Sequence, residues 1–163
     1  MKAATILSAQ AARRLAWAVA ISVVLLDQVS KAWVVSHLSP GMEQVLLPGL
    51  LAIQRVVNTG AAFGILSGST PSLALMSLLV SLAVAVWISR LQRVGPWRVL
   101  GAALVLGGAF GNGLDRWRLG AVVDFLKLLP IQFPVFNVAD VAINLAVLCF
   151  LIDLLQADVA TSE

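Results

Sequence analysis

The sequence has few of the residues on which most hydrolytic and metal sites depend. It contains one histidine, one cysteine and no tyrosine among 163 residues. A zinc site of His and Cys ligands has too few residues, and a His-dependent serine or cysteine triad would have to use His37. Neither HExxH nor GxSxG occurs, and no phosphate-binding loop is present. Cys149 has no second cysteine for an internal disulfide, so we expect it to be buried in the packing. Carboxylate chemistry is the catalytic class that remains.

Charged residues are also scarce, at 12% of the chain, whereas 60% of the residues are apolar and the mean hydropathy is +0.97. A soluble domain of this size carries far more charge. The apolar residues form stretches close to the roughly 20 helical residues that cross a hydrocarbon core. These stretches are residues 15–35, 71–89, 97–114 and 138–155. The sequence therefore predicts an all-α membrane protein with four transmembrane helices in a single domain, residues 1–163.

The distribution of basic residues predicts how these spans are oriented. Six of the eleven Lys and Arg residues lie before the first span or around the connection between the second and third. Because short basic segments stay cytoplasmic, we expect both termini inside and segments 36–70 and 115–137 outside. Asp27, Gln28 and Lys31 interrupt the place where a cleavage site would follow the first span, so we expect a retained helix. The net charge of +3 follows from this topology and gives no sign of nucleic-acid binding.

The two outer segments contain short runs typical of β-strands. Pro48 and Gly49 are a turn signal between two strand-like runs. In the second outer segment, residues 120–125 and 133–136 are further extended candidates. We therefore expect a small extracytoplasmic β-cradle on the membrane, with Asp124 on one of its strands or loops.

Asp124 and Asp140 stand sixteen positions apart at the predicted membrane boundary. Keeping an ionisable group there costs free energy, so such groups usually mark an ion path, a proton relay or a reaction centre. Asn137, Asp140 and Asn144 share one face if the fourth helix begins near Asn137. The positive end of the helix dipole then favours an ionised Asp140.

We therefore expect a dyad that shares one proton, held more often by Asp124 than by Asp140. The ionised carboxylate would take a proton from an attacking water, and its partner would protonate the scissile carbonyl oxygen. Such a pair suits peptide hydrolysis without a metal. A simpler alternative remains open: Asp140 only caps its helix, and Asp124 is a solvated loop residue.

A second cluster of polar residues lies at the C-terminal end of the third predicted span. Asn112, Asp115 and Arg116 are three and four positions apart, so their side chains can point into one site. Arg116 would hold a substrate carbonyl or a phosphate, or would pair with Asp115 as a structural contact. The glycines from Gly107 to Gly113 have the small-residue spacing that lets helices approach closely.

Two further polar features precede this group. Asp27 and Lys31 form an i, i+4 pair on the first span, which stabilises a helix and cancels charge near the membrane, so a structural role is predicted. Asn58 opens a run of small residues that ends at Phe63. This run would bring a polar amide and close backbone beside the site, or would only turn the chain back to the membrane.

These motifs together resemble those of the bacterial lipoprotein signal peptidase (signal peptidase II) family. The resemblance covers roughly residues 20 to 150 and rests on several motifs in order. They are DQVSK at 27–31, NTGAAF at 58–63, GGAFGNGLDR at 107–116, GAVVDF at 120–125 and FNVAD at 136–140.

The resemblance implies an aspartic endopeptidase of the bacterial inner membrane, acting at its outer face without cofactor or metal. Its substrate would be a diacylglyceryl-modified prolipoprotein, cut just before the lipid-bearing cysteine. Membrane lipid and globomycin-type inhibitors would be its other partners, and no nucleic acid is implied. The implied residues are the catalytic Asp124 and Asp140; the substrate-binding Asn58, Asn112, Arg116 and Asn137; and the mainly structural Asp27, Lys31 and Asp115.

A different class remains open from the residues alone. Four membrane helices with carboxylates could carry protons or ions, or could form a non-catalytic scaffold. A transporter would have its polar groups at the membrane midplane, often with an internal repeat. Here the strongest polar groups are predicted at one face, and the sequence shows no repeat.

Overall fold

The computed structural model describes residues 6–60 and 68–161, with side chains described as far as residue 156. The elements in chain order are α1 Ala9–His37, β1 Glu43–Leu47, β2 Leu51–Asn58, α2 Thr70–Ser89, α3 Pro96–Leu119, β3 Val122–Leu128 and α4 Val138–Thr161. The helices form a bundle, and the strands form one sheet whose β3 contacts α1 and α3. Residues 61–63, the end of the Asn58 motif, lie outside the described residues.

Helix α3 is the central element of the bundle and packs against α1, α2 and α4. Its glycines permit this close packing. A Cβ atom on Gly107 would come within 2.6 Å of the Cβ of Val23 on α1. One on Gly108 would come within 2.6 Å of the backbone oxygen of Ala139 on α4. The close helix approach predicted from these small residues is therefore confirmed.

Within the described residues, three helices are long and apolar enough to cross a membrane: α1, α2 and the 138–156 part of α4. Large apolar side chains such as Leu25, Leu79 and Leu148 are exposed on their outer faces, while Cys149 is buried as expected. The four-span prediction is thus supported for three helices. Helix α3 is not among them, because its sequence contains many small, polar and charged residues.

The helix ends differ from the predicted spans. Helix α1 begins at Ala9, where Ser8 accepts a hydrogen bond from the Ala11 N–H at 3.3 Å and caps the helix. Helix α3 continues to Leu119 and ends at Gly120, whose φ of 72° is left-handed. An apolar stretch marks only the part of a helix that can lie in the hydrocarbon core, whereas the helix itself continues through polar residues. Asp115 and Arg116, predicted in an outer segment, therefore lie on α3.

The strands form an antiparallel sheet in the order β1-β2-β3. The turn between β1 and β2 contains Gly49, whose φ of 71° favours glycine. The register of β2 and β3 puts Asp124 opposite Val56. The predicted small sheet, with Asp124 on a strand, is confirmed. Residues 133–136 do not form a strand as predicted; Phe136 alone bridges to Leu126, because Pro134 has no N–H to give to a ladder.

Candidate active site

Asp124 is held on β3 with only 3% of the residue exposed. Its two carboxyl oxygens accept hydrogen bonds from two asparagine side chains. Asn137 Nδ2 lies 2.7 Å from Oδ1, and Asn58 Nδ2 lies 2.9 Å from Oδ2. Asn58 ends the neighbouring strand β2, and its own Oδ1 accepts the Gly60 N–H at 2.9 Å. The pairing of two strands and a short turn therefore orients the amide toward the carboxyl group.

Asp140 lies in the first turn of α4 and is partly exposed. Its backbone N–H donates to Asn137 Oδ1 at 2.9 Å, while the Asn137 backbone N–H donates to Asp140 Oδ2 at 3.1 Å. This reciprocal pair is a capping box with Asp in the usual Glu position. Asn137 therefore contacts both carboxyl groups. The simpler alternative is right that Asp140 caps the helix but wrong about Asp124, which is buried rather than solvated.

Asn112 on α3 joins this network from the other side. Its Nδ2 donates to Asp140 Oδ1 at 2.8 Å. Its Oδ1 accepts two hydrogen bonds, from Asn137 Nδ2 at 3.0 Å and from Lys31 Nζ at 2.9 Å. Each oxygen of Asp140 thus receives an N–H donor.

Lys31 belongs to a buried ion cluster. Its Nζ lies 2.8 Å from Asp27 Oδ2 and 3.0 Å from Asp115 Oδ2, and none of the three side chains is more than 5% exposed. Asp27 Oδ1 accepts the Ala139 N–H at 3.0 Å, and Asp115 Oδ2 accepts the Val123 N–H at 3.1 Å. The predicted Asp27–Lys31 pair is confirmed. The cluster fastens α1 and α3 to the start of α4 and to β3.

Arg116 does not form the structural pair with Asp115 that the spacing allowed, because Asp115 faces Lys31. Instead, Nη2 donates to the Gly60 carbonyl oxygen at 3.0 Å. Nη1 makes a longer contact of 3.4 Å with the Asn112 carbonyl oxygen. Among the described residues, Arg116 Nε is buried and has no hydrogen-bond partner. Within ranges 6–60 and 68–161, the guanidinium therefore has one donor without an acceptor.

A cavity of about 860 Å³ lies between the sheet and α4, beside these side chains. This volume is within the range of pockets that bind organic ligands. Two exposed residues of α4, Val141 and Leu145, lie on its rim and open it toward the apolar surface of the bundle. Its polar wall is formed by Asn58, Thr59, Asn112, Arg116, Asp124, Asp140 and Asn144. The cavity thus joins a polar wall to an apolar opening.

The pKa of Asp124 is raised from its ordinary 3.8 to about 6, chiefly because burial disfavours the charged form. The charge of Asp140 also raises it, whereas the hydrogen bonds from Asn58 and Asn137 and the charge of Lys31 lower it. Asp124 therefore keeps a proton to higher pH than an ordinary aspartic acid. This direction agrees with the expectation that Asp124 holds the shared proton.

The nine site residues predicted from the sequence form one connected network: Asp27, Lys31, Asn58, Asn112, Asp115, Arg116, Asp124, Asn137 and Asp140. Their assigned roles remain predictions. Asn137, which was expected to line the substrate pocket, is completely buried at 0% exposure and donates hydrogen bonds to both carboxyl groups. Asn144, predicted on the face of Asp140, is exposed and donates to the Asp140 backbone oxygen at 2.9 Å.

One member of the network was not predicted as a site residue. Gln28 Nε2 lies 3.1 Å from Asp27 Oδ2, 3.0 Å from Asp115 Oδ1 and 3.2 Å from the Gly111 oxygen. Its amide thus joins both carboxylates of the ion cluster to α3. The position of Gln28 in the sequence could have identified it, because a polar amide inside an apolar span needs hydrogen-bond partners within the protein.

Comparisons with known proteins identify relatives over most of the chain. The family described as "Signal peptidase (SPase) II" matches residues 19–156. A lipoprotein signal peptidase from Parasynechococcus marenigrum (strain WH8102) is 53% identical over 132 residues, which are 81% of this chain and 83% of that protein. Another from Synechococcus sp. (strain RCC307) is 50% identical over 138 residues, covering 84% of this chain and 91% of that protein.

Two solved structures, both described as bacterial membrane enzyme structures by the in meso method, have a similar fold. The first has a TM-score of 0.83 and 29% identity, and the match covers 91% of this chain and 92% of that one. The second has a TM-score of 0.78 and 30% identity, with 87% and 93% covered.

Proposed function

This chain belongs to the signal peptidase II family, and we propose that Asp124 and Asp140 are the catalytic pair with which it hydrolyses its substrate. The enzyme is a membrane peptidase that removes the signal peptide from prolipoproteins. We propose that the precursor is diacylglyceryl-modified and is cut just before the lipid-bearing cysteine. The observation that carries the catalytic assignment is Asn137, which holds both carboxyl groups at one wall of the cavity.

Asp140 is the general base in this proposal. Its oxygens accept N–H donors from Asn137 and Asn112, and the start of α4 adds the positive end of a helix dipole. Asp140 is also the more exposed of the two acids, so water can reach it. It takes a proton from a water molecule as the water oxygen forms a bond to the scissile carbonyl carbon.

Asp124 is the general acid. Burial raises the pKa of its carboxyl group to about 6, so it holds a proton that it can donate to the carbonyl oxygen as the tetrahedral intermediate forms. When the carbon–nitrogen bond breaks, the leaving amine takes the proton that Asp140 acquired. Asp124 regains its proton from the intermediate's hydroxyl group, so the dyad returns to its starting state.

The remaining polar groups of the cavity wall bind the substrate. Arg116 Nε is a buried donor without a partner among the described residues, and it lies beside the dyad on the same cavity. A carbonyl oxygen of the peptide or of the lipid's ester linkage would satisfy it. Asn58 and Asn112 would contact the peptide backbone next to the scissile bond, in addition to their contacts with the acids.

We propose that α3 is the fourth transmembrane helix. Its 24 residues extend about 36 Å, enough to cross the hydrocarbon core, and the three apolar helices around it cover its small and polar residues. With both termini in the cytoplasm, the sheet and the dyad lie at the outer face of the bacterial inner membrane. The lipidated substrate enters from the membrane past Val141 and Leu145, with its acyl chains still in lipid.

The transporter alternative gains no support from the arrangement of the polar groups. Within the described residues, the connected polar network lies where the bundle meets the sheet, rather than at the middle of the helices. Family membership also favours the peptidase.

Exchange of each acid for its amide tests the catalytic assignment. Asp124→Asn and Asp140→Asn should each lower cleavage of a lipid-modified prolipoprotein by at least about a thousandfold, because each removes a proton-transfer step. Asp153→Asn is the matched control, since Asp153 pairs with Arg98 away from the network. Substantial cleavage by either dyad variant, with both variants folded in membranes, would remove the proposed pair.

Two additions to the same assay test other parts of the proposal. A metal chelator should leave cleavage unchanged, because the two carboxyl groups carry the chemistry. Globomycin-type cyclic peptides should compete with the precursor for the cavity and raise the apparent KM. Loss of activity with the chelator, restored by metal, would contradict the metal-free mechanism.

A further inference from the structure

Lys31 contacts more than the ion cluster to which it belongs. Its ammonium group has three hydrogens and three oxygen partners. Two partners are the carboxylates of Asp27 and Asp115, at 2.8 and 3.0 Å. The third is Oδ1 of Asn112, at 2.9 Å, and Asn112 is the residue whose amide donates to Asp140. One of the three ammonium contacts therefore reaches the hydrogen-bond network of the dyad.

We infer that Lys31 is a positioning residue that keeps Asp140 ionised by fixing the orientation of the Asn112 amide. This inference rests on the proposed role of Asp140 as the general base. It goes beyond the structural role that the Asp27–Lys31 spacing predicts, because it gives Lys31 an effect on the proton balance of the reaction.

The effect of Lys31 on Asp140 depends on which Asn112 atom faces the ammonium group. An ammonium group only donates hydrogen bonds, so it can face the oxygen of the amide but not its nitrogen. Asn112 Nδ2 must then face Asp140 Oδ1, where it lies 2.8 Å away. A flipped amide would set Nδ2 against Lys31 and turn its oxygen toward Asp140. Two oxygens at this distance are tolerated only if Asp140 carries a proton.

The rest of the network cannot compensate for such a flip. Asn137 Nδ2 donates to both Asn112 Oδ1 and Asp124 Oδ1, at 3.0 and 2.7 Å. Its Oδ1 is already bonded to the Asp140 N–H, so the Asn137 amide cannot turn to offer an acceptor. Lys31 therefore opposes the amide orientation that would protonate the base.

The surrounding charges give Lys31 a second effect on Asp140. Asp124 on β3 and Arg116 on α3 lie on the same cavity wall as Asp140. Lys31 offsets one of the two negative charges of Asp27 and Asp115, and it is only 3% exposed, so its charge is weakly screened by solvent. Without the ammonium group, the cluster has two negative charges and no positive one, and this additional negative charge also favours protonation of Asp140.

The test compares the pH profile of prolipoprotein cleavage in wild type and Lys31→Met, which keeps an unbranched stem but has no donor and no charge. In wild type, the acidic limb of kcat reports protonation of the base. In Lys31→Met, we expect kcat near neutral pH to fall about tenfold or more and the acidic limb to move up by about one pH unit. Lys31→Gln keeps an N–H donor and should recover part of the loss.

Asp115→Asn is the matched control, because it perturbs the same cluster but keeps Lys31 and an acceptor for the Val123 N–H. It should not move the acidic limb upward. If Lys31→Met does not accumulate as folded protein, the double variant Lys31→Met/Asp115→Asn removes one charge of each sign and takes its place. An acidic limb at the wild-type position in these variants would overturn the inference. That result would leave the catalytic pair intact, because Asp140→Asn tests the pair separately.

Discussion

At the residue scale, Asn137 forms hydrogen bonds with several residues of the site through both its backbone and its side chain. It caps α4, supports Asp140 through its backbone N–H and donates from Nδ2 to Asp124 and Asn112. Asn137 is completely buried, so a polar group that lost its hydrogen bond to Asn137 could not bond to water instead. The relative positions of the two carboxyl groups therefore depend on this residue.

Asn137→Ala should lower kcat by about a hundredfold or more and destabilise the protein by about 1–3 kcal/mol, because it removes a helix cap and leaves buried partners unsatisfied. Cleavage rates and denaturant unfolding of the purified protein measure the two effects. Gln156→Ala, an exposed change near the other end of α4, should cost less than tenfold in kcat. Equal effects from the two variants would contradict the central position given to Asn137.

The pH dependence of kcat/KM should reflect Asp124. This parameter reports the free enzyme, and the mechanism needs Asp124 protonated, so kcat/KM should fall as the pH rises above about 6. Asn58→Ala removes a hydrogen bond that lowers the pKa of Asp124, so it should move this alkaline limb to higher pH. The limb belongs to the coupled pair rather than to one acid. An unmoved limb in Asn58→Ala would contradict the assignment.

The same pKa shift predicts how stability changes with pH. The folded protein binds the Asp124 proton more tightly than the unfolded chain, with a pKa of about 6 against 3.8. Its contribution is therefore fully present below about pH 3.8 and is lost as the pH rises through about 6. The measurement is the unfolding temperature of wild type minus that of Asp124→Asn, whose amide cannot titrate. This difference should be smaller at pH 7 than at pH 4. A difference that does not change with pH would show no such shift.

At the element scale, α3 sets the distances on which the site depends. Asn112, Asp115 and Arg116 all lie on it, and its glycines bring it against α1 and α4. An added methyl group at Gly108 would meet the Ala139 backbone oxygen, one residue before Asp140. Backbone cannot rotate away as a flexible side chain can, so the helices must separate.

Gly108→Ala should therefore destabilise the protein by about 1–3 kcal/mol and reduce cleavage, because overpacking displaces Asn112 from Asp140. Gly95→Ala is the control on the same chain segment, since its Cβ would meet only the carboxylate end of Asp153 at 3.3 Å. Unfolding midpoints and cleavage rates of the two variants provide the comparison. Wild-type behaviour of Gly108→Ala would mean that α3 and α4 are less tightly packed than described.

The sequence predicts the helices and strands of the site better than their packing. Apolar stretches and a Pro-Gly turn predict four helices and the first strands, and helical spacing gathers Asn112, Asp115 and Arg116 on one side. Spacing cannot tell whether Asp115 pairs with its neighbour Arg116 or with Lys31, because that choice depends on how α1 packs against α3. Nor does it give the depth of a residue. Asn137 looks like a pocket residue in sequence and is enclosed in the fold.

At the scale of the whole molecule, the orientation in the membrane can be measured directly. Gln44 on β1 and Arg93 in the connection between α2 and α3 are both exposed. In a Cys149→Ala background, Gln44→Cys should react with a membrane-impermeant maleimide on intact cells or their spheroplasts. Arg93→Cys should react only after the membrane is permeabilised. The opposite pattern would put the sheet and the dyad on the cytoplasmic side.

The two acids come from different parts of the molecule, because Asp124 belongs to the sheet and Asp140 to the helical bundle. The distance between the two carboxyl groups therefore depends on how the sheet docks on the bundle. A substitution that loosens the pairing of β2 with β3 would separate the acids while leaving the helices packed.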